Sequence, residues 1–432
     1  MATQVPYVPT TGPDAGKLPE QAFGERMNRI FTSYALQKPD RIPVLMPTGH
    51  FLAQWGGITR QELTENADAE LDILERVALT YEPDAIAGLT NHSAYAVALG
   101  DRMTKWPGHG LGPEGSFQFV EHEFMKAEDY DEFLEDTTDW TIRKYMPRAF
   151  TELEGLAKLP PLGTLAFGTY VWFNLGLALR TPEVNQAFAA LAKAAQAQLA
   201  TDAKIMEGVG RLQALGFPSI PIPPLAPIIE APFDFMSDTL RGMRGIMLDM
   251  MRRPDKLLAA EEKVLKFQLE FAIDYTNTTG LKTVFIPLHR GSDGFMSIDK
   301  FERFYWPQLK AMIEGLAEQD ILPLVFYEGI WDQRLHHLAT LPRAKSLGWF
   351  QFSDIFKVKE VVGNTMAIIG GIRNSLLQAG TADEVRATTR KVCEVAGEGG
   401  GFVMCPGIGE MEGCDPDLVK VWVDTTKEFA VT

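Results

Sequence analysis

Nine residues with chemically useful side chains share one kind of position. Each lies just after a short apolar run: His50 after 42–46 and His92 after 84–89. His289, Arg290 and Asp293 follow 282–288, and Glu328 follows 321–327. Asp354 follows 347–352, Arg373 follows 366–370, and Glu410 lies beyond 402–405. Glu328 stands out because it directly follows ILPLVFY. A carboxylate there should sit at a dry pocket floor, where an unpaired charge is costly. Three stabilisers would serve: a metal with His289 as second ligand, the Arg373 guanidinium, or a proton. The first polarises a substrate oxygen. The second is structural. The third makes Glu328 a general acid. Asp354 is read either as a partner of Glu328 and His289 in catalysis or as the N-cap of a helix from Ile355. Arg373 and Arg290 offer planar cations to a substrate carboxylate, and His50, His92, Asp293 and Glu410 complete the expected binding surface.

Other chemistries lack their residues. Cys393, Cys405 and Cys414 form no Cys-x-x-Cys pair, which argues against a structural zinc site. No cysteine is expected to be a nucleophile or the main metal anchor. There is no Gly-x-Ser-x-Gly for a hydrolase elbow and no Gly-x-Gly-x-x-Gly after an early strand. GEGGG at 397–401 lacks the following Lys-Ser/Thr and reads as a tight turn.

The apolar runs at 42–46, 84–89, 162–167, 282–288, 321–327, 347–352, 366–370 and 402–405 read as strands buried on both faces. Helical segments are expected between them at 61–80, 182–204, 254–279, 297–319, 381–396 and 415–429. Alternation of this kind predicts an α/β fold with a parallel sheet. About eight units predict a single (β/α)8 TIM barrel over 21–432, preceded by a loosely held N-terminal arm, 1–20. An open doubly wound sheet is the alternative. A barrel would gather the strand-end residues on one rim. Residues 216–232, GFPSIPIPPLAPIIEAP, hold six prolines. Proline has no N–H, so this stretch is expected in neither a helix interior nor a central strand. It is read as a surface connector or an apolar lid over the barrel mouth.

The chain has 432 residues and a net charge of −16, with 46% hydrophobic and 23% charged residues, which suits a folded globular protein. The acidic balance argues against nucleic acid and anionic membranes as partners. No apolar run reaches the ~18 residues of a membrane span. The start, MATQVPYVPTTGPDAGKLPE, lacks the pattern of a secretory signal, so the expected location is cytoplasmic.

The stretches PDRIPVLM, PLHRGSDGFMSIDKFERFYWPQLKAMIEGL, ILPLVFYEG and GGFVMCPGIG resemble the uroporphyrinogen decarboxylase-like superfamily, over roughly 20–430. That resemblance implies a (β/α)8 barrel and an enzyme, either a porphyrinogen decarboxylase or a corrinoid-linked methyltransferase. The decarboxylases carry arginines in the first strand-end loop, where this chain reads MPTGHFLAQW. The methyltransferases bind zinc through His-x-Cys and a late Cys. Here those positions read Glu328-Gly329-Ile330 and a site near Ile408. The resemblance therefore implies methyl transfer or demethylation of a small, largely apolar methoxy compound. Zinc or another divalent metal would be held by His289 and Glu328, and a partner protein would supply the corrinoid. A homodimer is the assembly to test. Decarboxylation of a porphyrinogen, and non-catalytic binding of a tetrapyrrole or corrinoid, are the alternatives.

Overall fold

The computed structural model describes residues 7–9, 14–87, 93–166, 169–220, 226–407 and 410–429. Its strands form two main parallel sheets. The first has three short strands, β1 (Leu45–Pro47), β2 (Ala85–Ala87) and β3 (Ser219–Ile220), in that order. The second holds β4 (Thr283–Leu288), β5 (Leu322–Tyr327), β6 (Leu347–Phe350), β7 (Ala367–Ile372) and β8 (Phe402–Pro406), paired in sequence. Two single parallel bridges link them, Val44 to Met404 and Ile228 to Phe285. Alternate residues of each strand enter different cores, as the two-residue period of a strand requires. Leu45, Ala85, Ile220, Leu324, Trp349, Ile369 and Val403 meet in one cluster. Val44, Met46, Val325, Phe350, Ile368 and Met404 join the larger core that also takes in the helices. No helix among the described residues is long and apolar enough to cross a membrane.

Between strands, the helices start where local chemistry favours it. The Pro254–Thr279 helix begins on a proline and ends at Gly280 in the left-handed region, matching the expected span. Ala382–Val395 starts with a capping box between Thr381 and Glu384. The expected helix at 61–80 is two helices, Arg60–Glu65 and Ala67–Tyr81. Asn66 breaks it, because its side chain accepts from the Ala69 N–H and caps the second. The long alanine-rich helix runs Pro182–Ala214, past its expected end.

One strand expectation is corrected, and two further segments gain detail. The apolar run at 162–167 is not a strand, since Leu162–Ala166 is helical. It follows Pro160-Pro161, and Thr164 donates from its hydroxyl to the Pro161 carbonyl. A five-residue apolar run carries too little periodicity to separate helix from strand. The third sheet position falls instead to β3, inside the proline-rich stretch. Its described residues form part of the sheet wall. The Pro218 carbonyl accepts from Ile86 N at 3.0 Å, and the Pro227 carbonyl accepts from Phe285 N at 3.0 Å. In return, Ile229 N donates to the Phe285 carbonyl at 3.1 Å. The prolines thus sit where the sheet asks for an acceptor alone. Finally, the described part of the arm is held firmly. Asp14 is buried and pairs with the buried Arg26 at 2.9 Å.

Beneath β1 and β2 lies a buried ionic centre. Asp84 receives Arg29 at 2.6 Å, Arg41 at 2.6 and 2.7 Å, and the Val44 N–H at 2.8 Å. Burial pushes its carboxyl up, but the two guanidiniums and the Val44 amide outweigh that and hold it at about 2. Its stabilising contribution is therefore complete above the ordinary aspartate range and fades as pH falls toward 2. Asp84→Asn leaves two buried cations short of a partner, and denaturant unfolding should show a loss of about 3–5 kcal/mol.

Candidate functional site

The strongest cluster of titratable groups forms where β4 ends. The segment that builds it begins at Pro232, runs as helix to Asp234, widens into a π-helical turn over Phe235–Arg241, and continues as helix Gly242–Arg252. Widened turns of this kind recur at functional sites. Asp234 and Asp238, four residues apart, lie on one face of it. Asp234 is fully buried and collects three donors: His289 N at 3.0 Å, Arg290 N at 2.8 Å and the Tyr305 hydroxyl at 2.5 Å. Asp238 takes the two side chains that follow β4. Its Oδ2 lies 2.6 Å from His289 Nδ1, and its Oδ1 accepts from Arg290 Nε and Nη2 at 3.0 and 2.7 Å. Arg290 Nε also donates to Ser237 Oγ at 3.2 Å. His289 is left with Nε2 free to face Glu328, whose Oε2 is 3.6 Å away.

The electrostatics follow from crowding acids around one imidazole. Burial pushes the His289 pKa down. The Asp238 hydrogen bond and the charges of Asp234, Asp238 and Glu328 more than reverse this and raise it to about 9. Burial and the neighbouring Asp238 charge raise Asp234, while His289 and Arg290 bring Asp238 below the usual range despite its own burial. Glu230, half-buried beside these aspartates, is raised to about 7 by desolvation and then by Asp238, and the Thr239 hydroxyl donates to it at 3.3 Å. Glu261 is buried with neither carboxylate oxygen hydrogen-bonded among the described residues, and burial lifts it well above the ordinary range. The site therefore holds one cationic imidazole at neutral pH beside carboxyls that bind protons unusually well.

The expected residues separate into groups. His289, Arg290 and Glu328 come together. Glu328 is not at a dry floor: its side chain is 45% exposed. The chain turns at Gly329, in the left-handed region at φ 79°, and Trp331 Nε1 donates back to the Glu328 carbonyl at 2.9 Å. That turn carries Glu328 onto the rim, while Tyr327 is the buried residue. Its partner is His289, expected as a fellow catalytic residue and metal ligand. Arg373 makes no ion pair among the described residues. It lines a separate cavity of about 810 Å3 with Asp354, Ser353 and Lys391. Asp354 is exposed and caps the Ile355–Val362 helix, accepting from Phe356 and Lys357 N–H groups. Asp293 fastens two loops, accepting from Arg334 Nη1 at 2.5 Å and from Gln333 N at 3.0 Å. His50 and Glu410 meet each other, with Nδ1 and Oε2 2.9 Å apart. His92 lies outside the described residues. All three cysteines are buried, and burial raises their thiols, Cys393 and Cys414 to about 12.

Sequence reading missed Asp234, Asp238, Glu230, Glu261 and Tyr305. A signal existed: Glu230, Asp234 and Asp238 recur every four residues in an otherwise apolar stretch, which places three acids on one helical face.

With this geometry in place, comparison with known proteins is informative. A family model described as uroporphyrinogen decarboxylase matches residues 180–429, which includes the His289 cluster and leaves out His50. A uroporphyrinogen decarboxylase of Neisseria meningitidis serogroup C / serotype 2a is 26% identical over 230 residues, 51% of this chain and 60% of that protein. One from Neisseria gonorrhoeae is 25% identical over the same length. The chain thus matches about 60% of the length of these relatives. The structure of a methyltransferase from Methanosarcina mazei superposes with a TM-score of 0.59, covering 94% of this chain and 98% of its own, at 16% identity. That likeness is one of fold.

Asp238→Asn keeps the shape of the site but removes the charge nearest His289. NMR titration should place the His289 pKa at about 9 in the unaltered protein, and clearly lower, toward the ordinary value of about 6.5, in the variant. Because this pKa is raised by folding, the linked stability is complete below about 6.5 and is lost as pH rises through about 9. The variant should lose that dependence.

Proposed function

The chain belongs to the uroporphyrinogen decarboxylase family, and on that premise we propose that it demethylates a small, largely apolar methoxy-type compound. The methyl group goes to a corrinoid carried by a partner protein. The scaffold we propose is a closed (β/α)8 barrel. In support, the single bridges at Val44–Met404 and Ile228–Phe285 join the two sheets at both edges. One apolar cluster also draws side chains from both sheets.

The observation that carries the reading is how the cations are used. A polycarboxylate porphyrinogen needs several free cations. Arg290 is committed to Asp238, Arg334 is buried against Asp293, and Arg373, without an ion pair among the described residues, lines a separate cavity. The surroundings of His289 are acidic, with Asp234, Asp238, Glu230 and Glu328. Such a site repels carboxylates and suits a neutral ether. His289 is protonated, with Nδ1 fixed by Asp238, so its Nε2 proton points away from that anchor toward the rim. When the methyl–oxygen bond breaks, both electrons stay on oxygen, and that proton neutralises them. Glu328, 3.6 Å from Nε2, holds the imidazolium in place and can return a proton to it. A corrinoid, when bound, supplies the nucleophile that accepts the methyl group. Side-chain exposures of 30% for His289 and 45% for Glu328 leave the site open to a partner-borne cofactor.

A zinc ion fits this pair less well. His289 and Glu328 provide two donors, and no third joins them within ligand distance among the described residues. A catalytic zinc takes about three protein ligands. The proton chemistry of His289 stands without it. Decarboxylation is the second reading, favoured by the sequence relatives, which are uroporphyrinogen decarboxylases.

Incubation with cob(I)alamin and a methoxybenzene probe should form methylcobalamin, followed by absorbance, with one demethylated phenol per turnover. His289→Gln should slow it by about 10²–10⁴-fold, the usual weight of a general acid. The rate should hold across neutral pH and fall above about 9. Glu328→Gln should slow it less and move that fall to lower pH. Carbon dioxide released from a porphyrinogen, with no methyl transfer, would establish the second reading.

A further inference from the structure

Across the rim from His289, the loops after β1 and β8 bring together His50, Glu410 and Glu412. The geometry points to a divalent-cation site there, held by His50, Glu410 and Glu412 and suited to a borderline ion such as Zn²⁺. The inference does not rest on methyl transfer.

One ligand atom from each residue lies within 4.8 Å of the others. His50 Nδ1 is 2.9 Å from Glu410 Oε2 and 3.7 Å from Glu412 Oε2. The His50 side chain is 1% exposed, yet among the described residues neither ring nitrogen makes an aligned hydrogen bond. A buried imidazole whose nitrogens lack aligned hydrogen bonds is costly, and a cation coordinated at Nδ1, between that nitrogen and the Glu410 carboxylate, would remove half of that cost. The two loops are locked in register. Phe51 N donates to the Glu410 carbonyl at 3.2 Å. Gly49 has a φ of 44°, and a Cβ on it would lie 2.7 Å from Glu410 Cα, so no side chain fits between His50 and Glu410.

The surroundings orient the carboxylates, as outer partners of metal ligands do. Arg60 Nη2 is 2.5 Å from Glu412 Oε1, and Ser116 Oγ lies 2.8 and 2.7 Å from the two Glu412 oxygens. Glu412 Oε2 remains turned toward His50. Two carboxylates against one guanidinium leave the cluster net negative, which favours a cation. One imidazole and two carboxylates match the mixed nitrogen and oxygen ligands that zinc accepts. A cavity of about 460 Å3, bordered by Glu410, Glu412, Asn374 and Gln378, opens beside the cluster. Asn374 Oδ1 is buried there without a hydrogen-bond partner among the described residues. An open coordination position would therefore face a space where a substrate oxygen or water can enter.

Equilibrium dialysis of the full chain against Zn²⁺, with metal analysis, should show one tightly held equivalent. Glu410→Gln and Glu412→Gln should each weaken retention at least tenfold, with circular dichroism melts close to those of the unaltered chain. Glu410 is 31% exposed, so its replacement tests the site without the burial problem that His50→Ala brings. Co²⁺ should give visible d–d absorption that the Glu410→Gln variant lacks. The second candidate cluster, Glu302, His336 and His337, supplies the control: His336→Ala should leave stoichiometry unchanged, as should Glu328→Gln. Full retention by Glu410→Gln overturns the proposal, as does loss of the ion in either control variant or no retention of Zn²⁺ by the unaltered chain.

Discussion

Asp234 is the constraint on which the site depends. A single buried carboxylate accepts the backbone N–H groups of two successive residues, His289 and Arg290, and the hydroxyl of Tyr305. It thereby joins three parts of the chain: the widened turn at 235–241, the end of β4, and the helical stretch that holds Tyr305. Backbone donors fix the path of the loop and not merely a side chain. With that path set, His289 and Arg290 both turn to Asp238, one turn further along the same helical face. The imidazole then has its Nδ1 committed and only one nitrogen left for chemistry. A buried acid is expensive unless fully paired, and three donors on Asp234 meet that requirement. They also explain why a second aspartate can be tolerated four residues away.

Crowding of this kind makes a proton reservoir. His289 gains a proton because Asp238, Asp234 and Glu328 surround it, and Glu230 and Glu261 keep protons because burial disfavours their charged forms. The two effects are coupled through the same aspartates, so the cluster titrates as a group rather than residue by residue. On charge alone, a net acidic chain of −16 would only repel anions. Here its acids are arranged to make one imidazole reliably cationic at neutral pH.

Much of this was legible in the sequence, and the gaps have physical causes. The five strands from 283 to 406 could be read because each is an apolar run closed by polar or glycine-rich residues. The capped helices at 254–279 and 382–395 carried their own start signals. The pairing of His289 with Glu328 followed from two adjacent strand ends. By contrast, the helix at 162–166 is too short for its period to speak. Residues 230–238 were hidden by their proline-rich neighbours, which drew attention to loop structure. Glu328 was misplaced by depth: a strand-end position is legible, but the turn at Gly329 that lifts it to the rim is not. The ionic centre at Asp84 was invisible because its arginines come from positions 29 and 41, with no local pattern linking them to it.

The proline-rich stretch connects these themes. Its first part gives β3 its backbone. The next lends the Pro227 carbonyl and Ile229 N–H to Phe285 of β4. Immediately afterwards come Glu230, Asp234 and Asp238. Edge pairing and the acidic cluster are thus consecutive on one short segment, and both engage the same strand, β4, at its middle and at its end. Prolines at 218 and 227 restrict the backbone of this segment in the unfolded chain, which lowers the entropy lost when it docks. They also leave few N–H groups to satisfy along an edge that needs mainly acceptors. A more flexible linker would have to be ordered by the site itself, spending interactions that now hold His289. The anchoring of Pro227 and Ile229 on Phe285 therefore sets the position of Asp234, and through it the geometry of the imidazole.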